Sequence, residues 1–249
     1  MKDGGAEKTS AERGPESGRR EFLRHAAVLA GFAAVPDAAS AAAAAAAPAA
    51  PAEPPPPGYQ LLSGNEAAFV EAMVDVMCPA DGLTPRGTDC GLALFIDRQL
   101  AGAFGKGDRL YLRGPWRPGL PEHGYQLPLT PEQFFRAGLA AANQACQRQH
   151  GRRFDELAAV EADAFLRAIA EGKVPDARVP LAEWFNELVY PLFTQACFAD
   201  PIYGGNRDKV FWKMVGYPGL PAVHGLNFVK YRGKPFPGAS DSKSIEDFG

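Results

Sequence analysis

Asp200, Tyr203 and Asp208 stand around the adjacent glycines Gly204 and Gly205 in the stretch DPIYGGNRDKVFWKMVGYPG, residues 200–219. Two carboxylates and a phenol grouped about a turn are residue types suited to general acid–base catalysis, so this stretch is the first place to look for chemistry. The glycine pair alone does not make a dinucleotide site. It lacks the third glycine of that fingerprint and follows a helical pattern instead of a strand. An adjacent glycine pair serves equally well as a tight turn that needs positive φ.

Other chemistries find less support. The histidines His25, His123, His150 and His224 are scattered, and the sequence holds no His-x-x-x-His, Cys-x-x-Cys or Glu-x-x-His pair with ligand spacing. Covalent haem would need Cys-x-x-Cys-His, which is absent. A serine nucleophile elbow and a phosphate loop are missing too. Glu183 and Glu187 lie four apart on a helical pattern and read as a solvated face under like-charge tension, as does the Asp155-Glu156 pair. The residues therefore assign no catalytic, metal or cofactor ligand to this chain.

Four cysteines bear on redox state. Cys78 and Cys90 flank a turn-rich segment, and an internal bridge between them would fasten a loop that has little core of its own. Cys146 and Cys197 each fall on a helical pattern and stay open between pairing, buried thiols and a link to another chain, with the buried or internally paired states ranked first.

The elements that must carry these residues are helical. Ser63 and Glu66 form a capping box ahead of Phe69, Val70, Met73, Val74 and Met77, which predicts a helix over 64–77. Asp89 is the expected cap of a second helix in which Leu92, Phe95, Ile96, Leu100 and Phe104 share a face and Gly105 is the stop. Residues 106–129 are rich in Gly, Pro and aromatics and read as a loop too long for a mere connector. Thr130-Pro131-Glu132-Gln133 opens a helix to about Arg148, lined by Ala137, Gly138, Ala141, Ala142 and Ala145 for close packing. Further helices are expected over 159–170 and over 181–198, the latter kinked by Pro191. A last short one should run from Asn206 as cap to Val215, with Gly216 as stop, and the tail after Leu226 reads as extended. No stretch alternates with period two, so the fold class is mainly α, an irregular bundle with long loops.

The first quarter differs in composition. GRREFLRHAAVLAGFAAV sets Arg19 and Arg20 before Phe22, Leu23 and Arg24 and a weak apolar run, the layout of a secretory signal that resembles the twin-arginine type. About 10 apolar residues are too few to cross a bilayer core that needs about 20. The organisation read from composition is a signal peptide over 1–40, an Ala/Pro-rich linker over 41–58 and a helical domain over 59–249. That domain's roughly 190 residues suffice for one sizeable core. The formal charge of −3, from 26 basic and 29 acidic residues, offers no phosphate-binding face, so nucleic acid is not an expected partner.

Asp200, Pro201, Tyr203, Gly204, Gly205 and Asn206, followed by Trp212 and then Gly216, Tyr217, Pro218 and Gly219, resemble the signature DPxYGGN, a short gap, Trp, and G-[FY]-PG of the gluconate 2-dehydrogenase subunit 3 family. This family includes the small subunits of membrane-bound, FAD-dependent sugar and polyol dehydrogenases. The resemblance implies a non-catalytic, periplasmic accessory subunit. FAD would sit on a separate large subunit and haem c on a multi-haem cytochrome. The small subunit would assist folding and carry the flavoprotein through the twin-arginine translocase. The signature would then be a partner interface, with Tyr203, Phe211, Trp212 and Tyr217 as aromatic anchors and Tyr111, Trp116 and Tyr125 on a wrapping loop. The alternative reading is a free-standing secreted enzyme or binding protein that uses Asp200, Tyr203 and Asp208.

Overall fold

The computed structural model describes residues 56–248 apart from 118, 121–122 and 221–223. The signal and most of the linker, 1–55, thus lie outside the described residues. Helices α1 (Gly64–Met77), α2 (Leu92–Ala101), α3 (Pro131–His150) and α4 (Ala159–Ala170) follow the apolar spacing. Among the described residues there is no strand, only an isolated bridge between Gly219 and Lys243.

The first helix starts where the box predicts. Glu66 reaches back to accept from the Ser63 N–H at 2.9 Å. Its face of Phe69, Val70, Met73 and Val74 is fully buried. At the start of α3 the Gln133 N–H donates to Thr130 Oγ1 and the Thr130 N–H to Gln133 Oε1, which satisfies two otherwise orphaned donors. The small residue Gly138 on α3 lets Trp184 lie against the helix backbone. A Cβ there would sit 2.1 Å from Trp184 Cδ1, and the indole N–H donates to Phe135 O at 3.1 Å.

Two expectations about α2 are corrected. Asp89 does not cap it; its carboxylate pairs with Arg86, and the helix opens at Gly91 in the left-handed region. Phe104 leaves the shared face and is exposed, because the helix ends at Ala101. In place of a fully apolar face, α2 buries Asp97 completely. Its carboxylate accepts from three successive backbone N–H groups, those of Gln60, Leu61 and Leu62, at 2.7–3.0 Å. A carboxylate can be buried at tolerable cost when hydrogen bonds replace its hydration.

From Leu181 to Phe198 the chain runs as α5 (Leu181–Glu183), a π-helical stretch (Trp184–Val189) and α6 (Tyr190–Phe198). The disturbance expected at Pro191 takes this form. Proline lacks an N–H and its ring crowds the carbonyl of Glu187, and in the widened turn Tyr190 N–H bonds five residues back to Phe185 O. Helix α7 spans Val210–Val215 and α8 spans Gly225–Lys230. The tail is therefore not extended: α8 and two 3₁₀ turns (Pro237–Ser240 and Ile245–Phe248) shape it.

Candidate functional site

The signature folds into a knot that ties α2, α6 and the C-terminal tail together. Asp200 ends α6 and caps the 3₁₀ turn Pro201–Tyr203, one carboxylate oxygen accepting from Ile202 N–H at 3.1 Å. Its other oxygen accepts from Ile245 N–H at 2.9 Å. Pro201 occupies the first position of that turn, where no N–H is needed. Gly204 follows at φ 104°, and its carbonyl presses on Gly91, where a Cβ would meet Gly204 O at 2.2 Å. The absence of a Cβ at Gly91 is what permits the two backbones to touch, and glycine at 204 allows the positive φ that aims its carbonyl there.

Asn206 is wholly buried. Its amide donates to Ala199 O at 3.1 Å, while its oxygen accepts from Phe211 N–H at 3.0 Å. Asn206 therefore helps to start α7, but from four residues before it and not as the residue at its cap position. Asn206, Asp208 and Lys209 adopt positive φ, and regular helix begins only at Val210. Buried Trp212 donates from its indole to Phe198 O at 2.8 Å and meets Tyr217 edge-on at 5.2 Å between centroids. Gly216 closes α7 at φ 68°. Pro218 O then accepts from Lys243 N–H, and Leu220 N–H donates to Lys243 O. A Cβ on Gly219 would collide with this same Lys243 backbone.

Beside the knot lies a polar cavity of about 350 Å³ lined by Pro201, Asp208, Lys209, Lys213, Asp241 and Asp247 among others. Lys209 pairs with Asp247, and this bond, with those from Ser244, holds the Asp247 carboxyl down at about 2. Among the described residues no group of three or more His, Cys, Asp or Glu could hold a metal, and no helix is long and apolar enough to cross a membrane.

The aromatic anchors divide by exposure. Phe211 and Trp212 are buried, so they are core, whereas Tyr203 is 50% exposed and Tyr217 37%. On the long loop Tyr111 is 79% exposed, and Trp116 lies at intermediate depth. Tyr125 instead packs on Phe134 at 4.5 Å and donates to Leu129 O. Burial pushes its phenol up to about 12.

The acidic pairs read as solvated faces are only partly so. Glu183 is exposed, but Glu187 sits at intermediate depth beside Gly124 with one oxygen lacking a hydrogen-bond partner. Burial and then Glu183 raise its pKa. Asp155 and Glu156 both pair with Arg153.

All four cysteines are free and buried. The expected Cys78–Cys90 bridge is not formed, because each thiol points at Pro85 O, at 3.7 Å, instead of at the other. Cys146 and Cys197 are unpaired and are 0% and 4% exposed, so neither offers a surface thiol to another chain.

Residues that the sequence reading passed over complete the site. Arg207 donates to Asp89 O at 3.0 Å, and its backbone N–H donates to Cys90 O. Arg98 of α2 lies across Gly204, whose Cβ would stand 2.7 Å from the Arg98 guanidinium. Spacing alone carried no sign of either contact, since both cross about a hundred residues of chain. Asp97 did carry a sign: a carboxylate next to Ile96, one residue along from the apolar face of the helix.

A mainly helical domain knotted around a DPxYGGN turn, with the glycines and asparagine spent on backbone contacts, is a protein whose signature builds a shaped surface. The gluconate 2-dehydrogenase subunit 3 family model matches residues 64–219, more than half of the chain, and the chain belongs to that family. No curated protein and no solved structure matches it significantly.

Proposed function

We propose that this chain is the non-catalytic small subunit of a periplasmic FAD-dependent sugar or polyol dehydrogenase, assisting the folding of the flavoprotein and taking it through the twin-arginine translocase. The observation that carries this reading is the family match, which takes in the signature residues 200–219. Asp200 adds to it. Both its oxygens accept from backbone N–H groups, so this carboxylate is committed to holding the turn and the tail.

In this complex the flavin belongs to the large subunit and haem c to a cytochrome subunit. A chain bearing a signal for folded cargo then has a physical purpose, since its companion binds the cofactor before export.

The export role is tested by Arg19→Lys combined with Arg20→Lys in the full chain. The expected result is a large fall in periplasmic sugar-dependent dye reduction, with the activity stranded in the cytoplasm. Undiminished periplasmic activity would show that the flavoprotein travels without this subunit's signal.

A further inference from the structure

Arg98 and Arg207 come from separate elements, α2 and the 3₁₀ turn after Asn206, yet both lie against the contact between Gly91 and Gly204. A Cβ on Gly204 would stand 2.7 Å from Arg98 Nη1, and one on Gly91 would stand 3.7 Å from Arg207 Nη2. Both arginines are exposed, and neither forms an ion pair among the described residues. Arg207 is steadied by its bond to Asp89 O. The turn just before Gly204 leaves Ile202 43% and Tyr203 50% exposed.

Arginine and tyrosine are residue types enriched at interface hot spots. Fixing a rotamer-rich side chain before binding lowers the entropy lost on docking. The nearby carboxylates do not use up this charge: Asp89 is turned to Arg86, and Asp208 is exposed without an ion-pair partner. Two unpaired cations beside an apolar edge are complemented by a carboxylate-bearing segment with an apolar flank.

We propose that Arg98 and Arg207, held on the Gly91–Gly204 contact and flanked by Ile202 and Tyr203, form the surface that receives an acidic segment of the flavoprotein subunit. The proposal rests on the accessory-subunit reading and adds to it a place and a charge. It also gives the Tyr-Gly-Gly element a purpose beyond the turn, because a Cβ at position 204 would stand 2.7 Å from Arg98 Nη1 and displace that guanidinium.

The test uses tagged full-length chain purified from its host, with flavin absorbance per mole of chain as the readout. Arg98→Glu combined with Arg207→Glu is expected to lower co-purified flavin at least about ten-fold, since like charges brought face to face oppose association. Arg98→Lys with Arg207→Lys is expected to keep most of it. Reversals of Arg167 and Lys173 on and after α4 should change nothing. Both pairs disturb the Arg207 bond to Asp89 O, so a small fall in melting temperature is expected of each, and only the Glu pair should lose flavin. Equal flavin with wild type and the Arg98/Arg207 reversal would overturn this surface and leave the accessory-subunit reading standing. Absence of flavin with the wild-type chain would overturn both.

Discussion

Asp200 and Ile245 are joined by a hydrogen bond of 2.9 Å from the Ile245 N–H to the carboxylate, across 45 residues of chain. The first residue of the family signature thus holds a tail that lies beyond the matched residues 64–219. Asp200→Ala removes this bond and the cap on Ile202. A loss of about 1–2 kcal/mol of stability is expected. Limited proteolysis should show earlier cleavage within 241–248, and unchanged cleavage would mean the tail is held by its other contacts alone.

Asp97 is expected to be the most sensitive carboxylate in the domain. Asp97→Ala leaves three backbone donors without an acceptor, at about 1–3 kcal/mol for each one that water does not reach. Asp97→Asn keeps one acceptor oxygen and should do less harm. Urea denaturation of both variants checks the order.

Gly138 has no room for a side chain under Trp184. Gly138→Ala should lower stability by about 1–3 kcal/mol, because the indole must leave its position or the helix must shift. Thermal unfolding measures this. Little change in Tm would mean that α3 and the π-helical stretch can separate freely.

The tail should loosen in acid. The Asp247 carboxyl lies at about 2, held down chiefly by Lys209, against an ordinary value of about 4. A depressed acid stabilises the fold fully above its unfolded pKa and loses that contribution as pH falls through the folded one. The Ser244 amide resonance of the folded chain, whose N–H donates to Asp247, should therefore titrate with a midpoint near pH 2. In Asp247→Asn that titration should vanish.

Cysteine reactivity should be low in the folded, reduced chain. Burial pushes Cys90 and Cys146 up to about 11 and Cys197 up to about 12, and it raises Cys78 as well. With so little thiolate at pH 8, iodoacetamide should modify none of the four quickly until urea is added. Intact mass spectrometry reports the count. Rapid modification of Cys146 or Cys197 in the folded chain would reopen a link to another subunit.

What the sequence determined by itself was local. The helices α1, α3 and α4 follow from apolar periodicity and from caps at Ser63 and Thr130, because those signals act within a few residues. The family was legible for the same reason, its signature being one contiguous stretch. What the tertiary structure decided was the use of each side chain. Asn206 was expected as the first-position cap of a helix over 206–215, and its side chain instead reaches past a left-handed turn to accept from Phe211 N–H. Asp97 is buried in the α2 core and binds the backbone at 60–62. Arg98 carried no signal at all until Gly204 was brought beneath it. Long-range backbone approach, such as that of Gly91 to Gly204, depends on how helices pack, and helix packing is fixed by the sum of many side-chain contacts that no local pattern records.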